Sequence, residues 1–358
     1  LSSAISVAGS NRFLIGRTLA DQAVFPFQLS TSATTPATTL SNYNPNSSTA
    51  GEAARRSTLD ALINETYPEL FSKEHGDIFG RSLTLSTNIN GTISDAVGNA
   101  ALYVPNSNPN ANIRGNAVGN NVNFPNTGLA QQLRQIARVI RVSRPGYTPT
   151  QAGLTPINAN RQVFYATAGG WDTHSGQITS ISAAQGQHLL LQQLSEAINW
   201  FYAELTAMGP ATAGGIEAVD QVIGFTQSDF ARTINGNDNG TDHSWGGVQM
   251  AFGGPAAITG GQVYGRYPSM KLDNRIGGTG AVVPDRGECF SRGQFIPTLA
   301  VDQMSASFAR WMGVDNSNLP LIFPNIDNFA TGPFANAGAS PTFAYFNRVV
   351  PNLCTGIT

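Results

Sequence analysis

The stretch QVFYATAGGWDTH, residues 162–174, decides the fold that this sequence predicts. Its first seven residues are rich in Val, Phe and Tyr and lead into two glycines, which is typical of a buried strand that ends in a turn. An apolar stripe from about Ser182 to Met208 predicts a long helix, and Val219–Thr226 is a second run with strand character. Strand, helix and strand in this order form a parallel sheet with a right-handed crossover. We therefore predict an α/β fold, with a mostly parallel sheet flanked by helices.

Helical periodicity recurs elsewhere in the chain. It predicts helices over Gly51–Tyr67, from Thr127 to the proline-containing Ser143–Thr150, and over Val301–Met312. Asn88–Pro125 is rich in Asn and Gly and predicts a long irregular excursion. We expect the stripe of the long central helix to pack on the sheet; its residues are Leu190, Leu194, Ile198, Phe201 and Leu205. These features divide the chain into an N-terminal part (1–126), an α/β core (127–330) and a C-terminal tail (331–358).

The composition of the 358 residues limits the classes of function. Only 12% of the residues are charged, about half the usual quarter. The 20 basic residues are balanced by 22 acidic ones, which argues against a nucleic-acid-binding protein. No run of about 18 apolar residues occurs, so we expect no membrane span. A surface made polar by Ser, Thr, Asn, Gln and Gly is typical of exported proteins, and we expect a periplasmic or extracellular location.

The two cysteines and the N-terminus bear on whether the protein is exported. Cys289 and Cys354 show no metal-binding spacing. In an exported protein they are expected to form a disulfide, and two buried thiols are the alternative that the sequence leaves open. The chain opens at Leu1 without a signal segment, so we expect either a mature N-terminus after cleavage or an incomplete chain.

Candidate site residues follow the two predicted strands. Ligands of open α/β sheets bind outside the carboxyl ends of the strands, and the loops there carry Asp172, His174, Asp229, Arg232, Asp242 and His243. Carboxylate oxygens and imidazole nitrogens are ligands of zinc, manganese and related ions. The competing interpretation is that each Asp-His group is an ordinary hydrogen-bonded turn.

The remaining candidates have plainer interpretations. His75 is flanked by charged residues and is expected on a surface turn, and His188 is expected on the solvated side of the long helix. Arg232 follows Asp229 by three residues, so it either holds that carboxylate or binds an anionic group in bidentate fashion. The sequence leaves both roles open.

Several segments together resemble a known family. They are GGWDTH (169–174), SDFART (228–233) and GTDHSWGG (240–247), and ISVAGSN (5–11), GGQVYGRYP (260–268) and IPTLAVDQ (296–303) continue the match in order. On these segments the chain, to about Phe329, resembles the bacterial domain-of-unknown-function 1501 family. By resemblance that family is similar to the alkaline phosphatases and sulfatases, in which two metals bound by Asp and His flank a Ser, Thr or formylglycine nucleophile.

The resemblance implies roles for individual residues. Asp172 and His174 resemble one half of a metal pair, and Asp242 and His243 resemble the later Asp-His pair. The implied ion is divalent (zinc, manganese or calcium). Asp229 and Arg232 are the implied catalytic residues; Phe230 stands where other members of the superfamily have a histidine, so His243 is the expected replacement.

The resemblance also implies a missing segment and, with the composition, two functions. Family members normally carry a further segment before the Ile5–Asn11 match, with the first metal ligand and the nucleophile, so we expect an alkaline-phosphatase-like core that is incomplete at its N-terminus. A separate N-terminal fragment or self-assembly is the implied partner.

The first hypothesis is an exported metal-dependent hydrolase of phosphate or sulfate esters, acting on an anionic small molecule, or a truncated remnant of one. The alternative is a non-catalytic secreted scaffold or assembly subunit that keeps the sulfatase-like fold and has no substrate.

Overall fold

A computed structural model of the chain describes residues 4–9, 14–17, 23–24, 26–31, 49–63, 65, 69–93, 124–150, 152–178, 186–268, 289–290, 292–330 and 347–356. The chain divides into two units. The first consists of Leu1–Gly169 and Gln192–Gly215, and the second of Gly170–Leu191 and Ile216–Thr358. The predicted mixture of helices and strands is present, and the first unit contains a small parallel sheet.

The central strand of that parallel sheet is mostly buried. Its strands are β1 (Ala4–Ser6), β4 (Phe27–Gln28) and β5 (Val163–Tyr165), in the order β4-β1-β5. Ile5 lies at its centre with 0% exposure, opposite Phe27 on one side and Phe164 on the other. The short strands β2 (Gly16–Arg17) and β3 (Ala23–Val24) form an antiparallel pair in the same unit. The predicted strand within residues 162–168 is therefore confirmed, and it is parallel to its neighbour.

Among the described residues before residue 209, the chain forms the helices α1 (Ala50–Ile63), α2 (Leu70–Ile93), α3 (Gly128–Ser143) and α4 (Gln187–Met208). The prediction is confirmed for α1, α3 and α4, whose apolar spacing marked them in the sequence. Thr127 begins α3 as its N-cap, because its side chain accepts a hydrogen bond from the N–H of Ala130 at 3.4 Å. No helix in the described ranges is long and apolar enough to cross a membrane.

Helix α2 corrects two predictions. His75 is exposed but lies within this helix rather than on a turn. Residues 88–93, predicted to be irregular, form the last turns of the helix, and the rest of that region before residue 124 lies outside the described residues. The physical reason is burial: Ile89 and Ile93, four positions apart, are each 1% exposed, and Asn88 exchanges two hydrogen bonds with the backbone of Thr155.

The buried face of α4 also differs from the prediction. Phe201 and Leu205 are buried as predicted, whereas Leu190, Leu194 and Ile198 are only half-buried. The inward side carries two acidic residues as well: the buried set is Glu196, Ala197, Trp200, Phe201, Glu204 and Leu205. Glu204 is tolerated there because Arg141 of α3 forms an ion pair with it at 2.9 Å. His188 is exposed, as predicted.

In the second unit the strands are antiparallel: β6 (Ile223–Phe225) pairs with β9 (Ala251–Gly253), β7 (Ala231–Gly236) with β8 (Thr241–Ser244), and β10 (Cys289–Phe290) with β11 (Gln294–Phe295). The predicted strand within residues 219–226 is confirmed, because β6 lies there. The prediction that this strand belongs to a parallel sheet is wrong, because β6 pairs with β9 in antiparallel fashion. Gly224 lies opposite Phe252 in the pairing with β9, and a Cβ at residue 224 would lie 2.1 Å from the ring of Phe252. Residues Ala218–Gln221, just before β6, form a 3-10 helix.

One hydrophobic core receives side chains from the helices α5 (Val301–Trp311), α6 (Leu319–Ile322) and α7 (Asp327–Ala330). Phe225 of β6 stacks on Phe308 of α5, with ring centroids 4.5 Å apart. Cys354 is a free thiol within this core and is 1% exposed. The predicted disulfide is therefore wrong, because the Cys354 side chain is enclosed by apolar residues.

The environment of Cys354 makes a prediction about its reactivity. Burial raises the pKa of the thiol to about 12, and the thiolate is the reactive form. We expect no alkylation of Cys354 by iodoacetamide at about pH 8 in the folded protein, and complete alkylation in denaturant. Mass spectrometry of the C-terminal peptide measures both, and rapid labelling of the folded protein would contradict the described burial.

Candidate metal centre

The centre is built on the β7–β8 hairpin. Arg232 of β7 lies opposite His243 of β8 in the register, and Ala231 lies opposite Ser244. The sequence predicted these residues on loops at the edge of a parallel sheet, and that setting is wrong. The physical reason is the Asn- and Gly-rich segment between the two strands, which allows the chain to fold back on itself.

The tip of the hairpin supports the segment that carries Asp172 and His174. Asn237 closes the tip, because its side-chain oxygen accepts hydrogen bonds from the N–H groups of Asn239 (3.3 Å) and Gly240 (2.7 Å). Gly240 meets the neighbouring segment so closely that a Cβ there would lie 2.2 Å from the carbonyl oxygen of Thr173. The contact between tip and segment therefore requires a glycine.

Three side chains converge beside this contact. Oδ1 of Asp172 lies 2.8 Å from Nε2 of His243 and 3.3 Å from Nε2 of His174. The two imidazole rings stack with centroids 4.7 Å apart, and one ligand atom from each of the three residues lies within 4.8 Å of the others. Ligands of one tetrahedral ion with bonds of about 2.1 Å lie about 3.4 Å apart. The two separations from Oδ1 of Asp172 are near this value, and Asp172, His174 and His243 could together hold a metal ion.

Asp242 lies on the other side of His174. Its Oδ1 is 3.2 Å from Nδ1 of His174 and accepts a hydrogen bond from Nδ2 of Asn237 at 3.0 Å. Its Oδ2 forms an ion pair with Arg292. The N–H of Asp242 donates to Oγ1 of Thr233 at 3.1 Å, which fixes the backbone of β8 at this point.

Arg232 connects the two parts of the centre. Its guanidinium donates to the carbonyl oxygens of Trp171 (2.5 Å) and Thr241 (2.8 Å) and to Oδ1 of Asp172 (3.0 Å). The side chain is only 14% exposed and lies 4.8 Å from the centroid of the Phe230 ring. The sequence left open whether Arg232 holds Asp229 or binds an anionic group; in the structure it holds the carboxylate of Asp172 and makes no contact with that of Asp229 in the described ranges.

The charges around Asp172 favour its ionised form. The hydrogen bond with His243 is the largest effect and holds the pKa of the Asp172 carboxyl below its usual range; desolvation opposes it, and the hydrogen bond from Arg232 lowers the pKa further. The carboxylate is therefore ionised at neutral pH and able to bind a cation.

The structure brings together five of the six predicted site residues. Asp229 is exposed and makes no hydrogen bond or ion pair with any residue in the described ranges. Sequence reasoning missed Asn237, whose position in an Asn-Gly tip was a usable signal for a turn. It also missed Arg292. The N–H of Asn235 donates a hydrogen bond to the carbonyl oxygen of Arg292 (3.1 Å), which places Arg292 beside the hairpin. The sequence holds no signal for the contact between Arg292 and the hairpin.

Comparison with known proteins gives a family match for the middle of the chain. Residues 154–276 match the model of a family described as Protein of unknown function (DUF1501). No curated protein and no solved structure matches the chain. The matched range contains the whole hairpin and the Asp172–His174 segment, and leaves Arg292 outside. The family match over residues 154–276 therefore supports the resemblance to the DUF1501 family that the sequence motifs indicated.

Proposed function

We propose that this chain is an exported metal-dependent hydrolase of phosphate or sulfate esters with an alkaline-phosphatase-like core. The observation that carries the proposal is the convergence of Asp172, His174 and His243 at ligand distances on an accessible surface. Their side chains are 59%, 47% and 48% exposed. A cation held there would remain open to an anionic ester.

The donor set narrows the choice of ion. Two imidazole nitrogens and one carboxylate suit zinc or manganese, whereas calcium prefers ligands that are all oxygen. We therefore propose zinc or manganese. When bound, such an ion polarises the ester oxygen and lowers the pKa of a bound water.

The chain's own residues prepare the site. His174 and His243 would hold the cation through Nε2 in their neutral form, and Asp172 would contribute the negative charge. Arg232 orients Asp172 and fastens its segment to β8 through the carbonyl oxygens of Trp171 and Thr241. Phe230 covers one face of His243, with ring centroids 4.1 Å apart, and so restricts the orientation of that imidazole.

Metal analysis of purified His174→Ala and His243→Ala tests the proposal. We expect stoichiometric zinc or manganese in the unmodified protein and a loss of affinity in each variant that exceeds the ~10–100-fold effect of changes outside the ligand set. Turnover of aryl phosphate and aryl sulfate is expected to fall with the metal. His188→Ala is the matched control, since His188 is exposed on α4 and the variant should keep both metal and turnover. Metal-free protein, or turnover unchanged in both variants, would contradict the proposal.

The alternative function is a secreted scaffold that keeps this fold without turnover. One observation favours it: each carboxylate of the centre already has a guanidinium partner, Asp172 with Arg232 and Asp242 with Arg292. The local charge is thus balanced without a cation. A metal-free protein whose assembly state is unchanged by His174→Ala would support the scaffold.

A further inference from the structure

We propose that Asp242 is a positioning residue rather than a metal ligand. Its carboxylate accepts the Nδ1–H of His174 and thereby presents Nε2 of His174 to the cation. This inference rests on the proposed metal site. It separates the Asp242–His243 pair, which the family resemblance treats as two ligands, into one orienting carboxylate and one ligand.

Strand geometry supports the separation. Adjacent residues of a strand point to opposite faces, and Asp242 and His243 are adjacent in β8. Nε2 of His243 faces Asp172 at 2.8 Å. Asp242 instead faces Nδ1 of His174, on the side of that ring opposite the one that faces Asp172. His174 therefore lies between the two carboxylates.

The hydrogen-bond partners of the two carboxylates differ as well. Both oxygens of Asp242 are used: Oδ1 by Asn237 and His174, and Oδ2 by Arg292. In Asp172, all contacts are made by Oδ1, and Oδ2 has no hydrogen bond to any residue in the ranges that the structure describes. Asp172 is also the more exposed of the two, at 59% against 33%. Asp172 thus has an oxygen without a hydrogen-bond partner in the described ranges, whereas both oxygens of Asp242 already have partners.

The position of the proton on the imidazole ring explains how Asp242 would affect metal binding by His174. A neutral imidazole carries one N–H, and the partner of that N–H decides which nitrogen keeps a lone pair. A carboxylate beside Nδ1 favours the proton there and leaves Nε2 free to bind metal. Histidines that ligate metals commonly donate their other N–H to such a carboxylate, and removal of the carboxylate costs about 10–100-fold in metal affinity.

The first test compares zinc affinity among carboxylate variants. We expect Asp242→Ala to weaken binding about 10–100-fold while the stoichiometry stays at one, and Asp242→Asn, which keeps an acceptor oxygen, to weaken it less. Asp172→Ala is expected to lose more affinity than either. Asp238→Asn is the matched control, because Asp238 is exposed at the same hairpin tip. Equal losses for Asp242→Ala and Asp172→Ala would overturn the inference.

The second test uses metal-free protein, so that it remains decisive if no metal binds. ¹⁵N NMR at a pH where the histidines are neutral reports the tautomer of each of the four histidines, and His174→Ala assigns the signal. Because Oδ1 of Asp172 faces Nε2 of the same ring at 3.3 Å, the comparison is made in the Asp172→Ala background. We expect the Nδ1–H tautomer for His174 in Asp172→Ala and in Asp172→Ala with Asp242→Asn, and a shift towards Nε2–H in Asp172→Ala with Asp242→Ala. His75 and His188, both exposed, are internal references. An Nε2–H tautomer in Asp172→Ala, or no change when Asp242→Ala is added, would overturn the inference. A failure of metal binding with the expected tautomers would instead overturn the proposed function.

Discussion

Gly240→Ala is expected to disrupt the candidate metal centre although residue 240 carries no ligand. The added Cβ would lie 2.2 Å from the carbonyl oxygen of Thr173 and 2.7 Å from that of His174. Both are backbone atoms, so the segment and the hairpin tip must separate. Overpacking of this kind costs about 1–3 kcal/mol of unfolding free energy, and a displacement of about 1 Å is enough to cost about 100-fold in the function of a positioned site.

Denaturant unfolding and zinc titration of Gly240→Ala measure the two effects. The matched control is Gly260→Ala in the same unit, because a Cβ at Gly260 meets no atom within 4 Å. We expect the control to keep the stability and zinc affinity of the unmodified protein. Zinc affinity in Gly240→Ala equal to that of the control would show that His174 is held in place by something other than this contact.

Arg141→Met is expected to cause the largest loss of stability in the first unit. Glu204 is 0% exposed, and its Oε1 lies 2.9 Å from the Arg141 guanidinium. Removal of one partner of a buried ion pair costs about 3–5 kcal/mol, because the remaining buried charge loses an oppositely charged neighbour in a medium of low dielectric constant. Replacement of both residues by apolar ones of similar volume is often neutral, so Arg141→Met with Glu204→Leu should recover most of the loss.

Thermal and denaturant unfolding of the single and double variants test this expectation. Arg81→Met is the control, since Arg81 and Glu74 form an ion pair on the exposed surface of α2 and solvent screens such pairs strongly. We expect the control to be close to the unmodified protein. A double variant as unstable as Arg141→Met alone would show that packing, rather than the loss of the charge pair with Glu204, determines the loss of stability.

The sequence by itself determined the elements with strong local periodicity. Helices α3, α4 and α5 and strands β5 and β6 lie within the predicted segments, and α1 begins one residue before its predicted segment. Spacing and residue type mark such elements without reference to the rest of the chain. The sequence also indicated that Asp172, His174, Asp242 and His243 form one group. Helix α2 was missed because most of it is exposed and its buried residues near the C-terminal end are too few to form a recognisable stripe.

Only the tertiary structure decided which distant residues meet. Two contacts join residues separated by long stretches of chain: the antiparallel pairing of β6 with β9 and the ion pair between Arg292 and Asp242. The burial of the free thiol of Cys354 likewise depends on residues that are distant in the sequence. Local spacing carries no information about such contacts, because they depend on backbone hydrogen bonding and close packing between segments. The same reason applies to Asp242 and His243: the sequence makes them an adjacent pair, and only the position of His174 beside Asp242 distinguishes an orienting carboxylate from a ligand.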